Sequence, residues 1–161
     1  MRIIKFRGKR LFSTNNEYIS NKNNNWIYGD LISNSFNLEN NNNSFYYILE
    51  QKTTTDINQF NLLNELENSK VYIKSIGQFT NFKDKDKKEI YEGDIIRVSH
   101  LNGQVLIGIG IVTFNNSRWE IQWLNNDSSV YLRCDLDFIH EKRIIEVIDN
   151  TYDNNLLLLD N

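Results

Sequence analysis

The sequence has no proline, no alanine, one cysteine (Cys134) and two histidines (His100 and His140) among 161 residues. A lone cysteine excludes an intramolecular disulfide and any cysteine-cluster zinc site, and it suits a reducing, cytoplasmic setting. The histidines lie forty residues apart, and no HxH, HxxxH or HExxH spacing occurs, so no metal site is expected. There is no GxxxxGK[ST] phosphate loop, and Gly108-Ile109-Gly110 lies inside an expected strand rather than after one, so no nucleotide cofactor is expected either. Seven glycines without proline exclude a collagen-like chain. No apolar run approaches the roughly 20 residues of a membrane span, and no signal-like apolar stretch follows the basic N-terminus. The chemistry left to the chain is that of binding rather than catalysis.

What is present is a soluble globular profile, with 40% hydrophobic, 24% charged and 12% aromatic residues. Asparagine accounts for 26 positions, clustered at Asn23 to Asn25 and Asn40 to Asn43. Such tracts read as loop filler under AT-rich codon usage. The net charge of -3 is unevenly placed. The first ten residues carry five bases and no acid, whereas from Glu120 onward nine acids face three bases, a local balance of -6. A purely electrostatic nucleic-acid binder would carry a larger positive excess.

Short alternating runs separated by Asn, Asp and Gly predict a mainly β protein. Ile4 and Phe6 alternate with Lys5 and Arg7 as a half-buried strand with its cations outward. Further strands are expected at Trp26 to Ile32, with Gly29 as a bulge, and at Phe45 to Glu50 and Val71 to Ile76. One helix is expected from Asp56 to about Asn68. Asp56 can cap it, Gln59 can reach back to the cap, and Ile57, Phe60, Leu63 and Leu66 form its apolar stripe. In the second half, Asp94 to Val98 and Gln104 to Phe114 flank an Asn102-Gly103 hairpin turn, with Gly108 and Gly110 bending the second strand. Asn115 to Ser117 turns the chain into a strand bearing Trp119, Ile121 and Trp123 on one face. Val130 to Leu132, a helical turn at Leu136 to Ile139, and a last strand at Ile144 to Ile148 complete the set. These elements predict an N-terminal β subdomain (1–76, helix about 56–68), a turn-rich connector (77–93) and a C-terminal SH3-like small barrel with a tail (94–161). The subdomain is expected to pack on the barrel. Ile95, Val112, Trp119, Ile121 and Ile148 are its expected core.

Few candidate sites emerge. Lys83, Lys85, Lys87 and Lys88 alternate with acids in a solvated hairpin tip that could touch phosphates, though the acids cancel most of its field. Asp127, Asp135, Asp137 and Glu141 concentrate the C-terminal negative charge and could meet a basic partner surface. Trp119 and Trp123 with Arg118 would form a stacking platform if exposed, and a core row if inward. Cys134, six residues from His140, reads as a core cysteine rather than a nucleophile, and the histidines read as surface residues.

Four stretches together resemble the YopX family of bacteriophage and prophage proteins. They are Met1 to Arg10 with Trp26 to Ile32, the central Ile76-Gly77-Gln78-Phe79-Thr80-Asn81-Phe82-Lys83-Asp84-Lys85, its continuation Glu89 to Ile96, and the closing Ile145 to Asn154. The family has Gly where Asn81, Lys87 and Asp149 stand here. Asn and Asp enter the left-handed region at modest cost, so Asn81 and Asp149 are expected to keep their turns. Lys87 would pay roughly 1 kcal/mol there, so another turn geometry is expected at Asp86-Lys87. The resemblance implies an all-β phage protein acting in the host bacterial cytoplasm, and it supplies no catalytic residues. The expected function is non-enzymatic: binding and modulating or inhibiting a host protein or ribonucleoprotein, with a CRISPR-type antiviral nuclease as one target. The alternative is a small-barrel nucleic-acid binder of phage gene expression or replication. Self-association is left open.

Overall fold

The computed structural model describes residues 3–14, 17–19, 25–35, 44–50, 66, 68–101, 103, 105–124, 133–135 and 143–154. At 12–14, 17–19, 34–35, 44 and 133–135 it describes the backbone alone. The chain divides into two compact units, Ile3–Gln78 and Phe79–Asn161 with Met1–Arg2. Both are antiparallel β structures, so the chain is mainly β.

In the first unit the strand order is β6-β5-β4-β1, formed by Lys70–Val71, Ser44–Leu49, Trp26–Ser35 and Phe6–Lys9 respectively. The short strands β2 (Phe12–Thr14) and β3 (Glu17–Ile19) form a separate pair. The start of β7 (Gly77–Lys83) pairs with β1 through Gly77 and Gln78. One sheet face buries Ile27, Ile48 and Val71, with Phe6, Leu31, Tyr46 and Ile76 packed against them. Gly8 belongs to this face, where an added Cβ would lie 2.9 Å from the Ile48 side chain.

Three sequence expectations change here. Ile4 precedes the first strand and is exposed, whereas Arg7 and Lys9 are buried. The inward face of β1 is set by Phe6 and Gly8, and its cations are covered on the other face. Gly29 is not a bulge, because the β1–β4 register runs through it without a shift. It is small because a Cβ there would come within 1.8 Å of the Leu49 carbonyl oxygen. Finally, the strand expected at Val71 to Ile76 stops at Val71 and becomes a 3-10 turn at Ile73–Ser75. The Ser75 hydroxyl fixes that turn, donating to the Tyr72 carbonyl (2.6 Å) and accepting the Lys9 N–H (2.8 Å). The helix expected at 56–68 lies almost wholly outside the described residues; Leu66 and Asn68 are helical.

The second unit contains the rest of β7, which pairs with β8 (Glu89–Tyr91), and a five-stranded sheet. That sheet has the order β12-β11-β10-β9-β13, from Arg133–Asp135, Arg118–Trp123, Leu106–Asn115, Asp94–Ser99 and Ile144–Asn150. The last strand returning beside the first is compatible with an SH3-like barrel. Its core is Ile90, Ile96, Val98, Val112, Trp119, Ile121, Trp123, Ile145 and Val147. The row Trp119, Ile121 and Trp123 therefore faces inward, as one side of a pleated strand must. Phe114 lies edge-on to Trp119 with ring centroids 4.8 Å apart.

Both turns read from sequence in this unit form. Gly103 has φ 69° and closes the β9–β10 hairpin by donating to the His100 carbonyl (2.7 Å); Asn102 lies outside the described residues. Asn116 and Ser117, at φ 49° and 65°, make the two-residue turn between β10 and β11. Ile95 is fully buried, as expected, and pairs with Ile111 on the sheet face away from the cluster. One core assignment shifts. Ile148 is only half-buried, because the β13 register slips between Val147 and Asp149 and leaves Ile148 in the irregularity. Ile145 and Val147 take its place. Val130 to Leu132 and Leu136 to Ile139 lie outside the described residues.

Trp119 is a large buried member of this core, so Trp119→Ala is expected to cost about 3–5 kcal/mol in urea unfolding. A loss below about 1 kcal/mol would mean that the indole is not packed as described.

Candidate functional site

The lysine-rich turn between β7 and β8 is more than a solvated tip. Lys83, Lys85, Lys87 and Lys88 are exposed, but Asp84 among them is buried. Its Oδ1 accepts the Asp86 and Lys88 N–H groups, both at 2.9 Å, while its Oδ2 accepts the Val147 N–H at 3.1 Å. Beside it the Lys85 N–H donates to the Ile145 carbonyl (2.9 Å). The turn thus occupies outward backbone groups of β13, an edge strand of the five-stranded sheet, with one carboxylate oxygen standing where a neighbouring strand's carbonyl would be. Thr80 sets the approach: its hydroxyl donates to the Ile90 carbonyl (2.8 Å) and accepts the Phe82 N–H (3.1 Å) across the β7 register slip.

The turn geometry corrects one expectation and supports another. Lys87 does enter the left-handed region, at φ 66°, and so does Asn81, at φ 71°. The backbone bonds collected by Asp84 determine the turn and override the preference of Lys87. Asp149 is different: it sits in β13, paired with Ile95, and is not among the positive-φ residues. Its carboxylate accepts the Asn150 N–H (2.8 Å) and the Asn154 side-chain amide (2.9 Å), closing the following turn. Lys85 is engaged by acids, at 3.0 Å from Asp86 and 3.6 Å from Glu146. The Asp86 hydrogen bond and charge, followed by Glu146, hold its ammonium above the ordinary lysine range. Glu146 also binds Arg97 at 3.0 Å.

Two further carboxylates among the described residues of this unit, those of Asp94 and Glu120, are buried. Asp94 accepts the Tyr91 N–H (2.8 Å) across the turn at Gly93. Glu120 accepts from Arg118 (2.9 Å) and Asn115 (3.3 Å). Of the predicted acidic set, Asp135 pairs in register with Glu120, while Asp127, Asp137 and Glu141 lie outside the described residues. Cys134 is in register with Ile121 and His100 is exposed; His140 lies outside the described residues.

The first unit holds a feature that the sequence reading missed. On the sheet face away from its core, Arg7 pairs with Tyr28, Lys9 with Trp26, Ile32 with Tyr47, and Tyr47 with Lys70. The Arg7 guanidinium lies 4.8 Å from the Trp26 ring and the Lys9 ammonium 5.5 Å from it. Lys5 sits 5.6 Å from the Tyr28 ring and Lys70 3.7 Å from that of Phe45. Four cations are thus set over aromatic faces, each contact being worth about 0.5–2 kcal/mol according to its desolvation. The available signal was the even spacing of Lys5, Arg7 and Lys9 against that of Trp26 and Tyr28, which an antiparallel pairing places on one face.

Fold and site together define a two-unit antiparallel β protein whose motif carboxylates build its turns. A protein-family match described as YopX protein covers residues 19–159. The chain belongs to the YopX family. No curated protein matches it. The segments that carried the family resemblance include Thr80, Asp84, Asp94 and Asp149, each of which closes a turn or bridges strands.

Removing the Asp84 carboxylate leaves three N–H groups without their acceptor, so Asp84→Ala is expected to cost about 2–4 kcal/mol by urea unfolding. Lys87→Gly, which relieves a strained φ, is expected to stabilise by about 0.5–1 kcal/mol in the same experiment.

Proposed function

We propose that this YopX-family protein is a non-enzymatic, phage-encoded accessory protein that binds and modulates or inhibits a host macromolecule. The favoured target is a protein or ribonucleoprotein, with a CRISPR-type antiviral nuclease as the leading example, and the site of action is the host bacterial cytoplasm. The observation that carries the reading is the use made of the buried carboxylates. Asp84 and Asp94 accept backbone N–H groups, and Glu120 is held by Arg118 and Asn115. A general acid or base must be free to meet a substrate, whereas these groups hold the scaffold. Binding needs a shaped surface with suitable anchors, which a β scaffold with charged turns can supply. The acid-rich sequence after Glu120 suits competition for a basic channel.

The second reading, a nucleic-acid binder, is favoured by the cation–aromatic face of the first unit. Its main cations, Arg7 and Lys9, are buried, however, and are therefore poorly placed to neutralise phosphates. Weak binding lost by physiological salt is expected; tight binding with a salt slope near zero would contradict this. Pull-down from host lysate with and without nuclease separates the two readings, since a protein partner should survive nuclease.

The combined variant His100→Ala, His140→Ala and Cys134→Ser is expected to leave partner binding, or phage survival in a defended host, unchanged. Charge reversal across Asp127, Asp135, Asp137 and Glu141 is expected to weaken both. A folded but inactive triple variant beside silent charge reversals would mean that chemistry, not binding, is the function.

A further inference from the structure

The outer edge of β13 presents an acceptor and a donor on either side of Glu146. The Ile145 carbonyl accepts the Lys85 N–H (2.9 Å), and the Val147 N–H donates to the Asp84 carboxylate (3.1 Å). The backbone of Glu146 turns the other way, to β9, where it pairs with Arg97. Such an edge is self-complementary. A second β13, antiparallel and related by a two-fold axis at Glu146, would bring its own Val147 N–H to Ile145 and its own Ile145 carbonyl to Val147. The sequence suits that register. Ile144-Ile145-Glu146-Val147-Ile148 reads nearly the same from either end, so Ile145 would meet Val147 and Ile144 would meet Ile148. Four of these five residues are β-branched, and none is Pro or Gly. The two Glu146 side chains would lie opposite each other, each beside its own Arg97 at 3.0 Å, which offsets their repulsion.

We propose that the β7–β8 turn is an autoinhibitory cap, and that what it holds off is β13 of a second copy of this chain. The turn supplies the same two groups that the copy would. The Lys85 N–H stands in for the second Val147 N–H, and the Asp84 Oδ2 stands in for the second Ile145 carbonyl. Both belong to one turn, whose shape Asp84 itself sets by accepting the Asp86 and Lys88 N–H groups at 2.9 Å. Donor and acceptor therefore leave the edge together when the turn lifts, and the freed edge is a template for strand addition. The pairing it permits is weak. One short strand buries well below the roughly 1,200 Å² of a specific interface, so the pair forms only at high concentration. The device is independent of any host partner.

The test is sedimentation and amide exchange of Asp84→Ala in the full chain at two concentrations. Its weight-average mass is expected to rise from 19.1 kDa toward twice that value between roughly 10 μM and roughly 1 mM, while the wild type rises far less. Over the same range the Ile145 and Val147 amides of the variant, fast at low concentration, are expected to regain at least tenfold protection. Val112→Ala, which loosens the core and leaves the cap in place, is the control and is expected to behave as wild type. Asp84→Asn keeps an acceptor for the Asp86 and Lys88 N–H groups but turns an N–H toward Val147. It is expected to associate as Asp84→Ala does, and it decides the test should the alanine variant not fold. A folded cap variant that keeps the monomer mass at the upper concentration would overturn the proposal. So would association that leaves the Val147 amide unprotected, because another surface would then be responsible. Equal association of the wild type or of Val112→Ala would overturn it as well, because loss of the cap would not be the cause.

Discussion

The second unit depends on what stops its five-stranded sheet at β13. A sheet edge offers a row of N–H and C=O groups that must be paired, covered or hydrated. Here the β7–β8 turn meets that edge, taking the Ile145 carbonyl with the Lys85 N–H and the Val147 N–H with the Asp84 carboxylate. The same carboxylate gathers the Asp86 and Lys88 N–H groups of its own turn. One buried side chain thereby fixes a turn and ties it to a strand sixty-three residues away. Proline is the usual edge blocker, and this chain has none. A turn carboxylate does that work here.

This role gives the family resemblance a physical content. The recognisable residues, from Thr80 through Asp84 to Asp94 and Asp149, accept or donate hydrogen bonds where strands slip, turn or end. They define a framework. The same framework displays the exposed apolar tip of the β9–β10 hairpin and the cation–aromatic face of the first unit. A scaffold of hydrogen-bonded turns can hold such surfaces while they vary in sequence.

Legibility from sequence followed the local character of each signal. The strands Trp26–Ser35, Asp94–Ser99 and Ile144–Asn150, the Gly103 turn and the inward row of Trp119, Ile121 and Trp123 were readable because alternation and turn chemistry are local. What failed was non-local. The burial of Arg7 and Lys9 depends on Trp26 across the β1–β4 pair, so local alternation placed Phe6 on the core face but left the cations of the other face in water. Lys87 was expected to avoid positive φ, but Asp84 constrains it from three residues away and from a distant strand. Ile148 was lost from the core to a register slip that no strand shows by itself. For the candidate surfaces, lysines and acids were visible as runs, yet the sequence could not tell that Asp84, in the middle of the lysines, is the structural member.

The central claim is that the Asp84 carboxylate caps the edge of β13, and amide hydrogen exchange at Val147 tests it most directly. The wild-type amide is expected to exchange slowly, at a rate set by opening of the second unit, and Asp84→Ala is expected to speed it far more than the amides of Ile96 and Val112 within the sheet. A Val147 amide that exchanges freely in the wild type, or one whose protection is the same in the variant, would contradict the account.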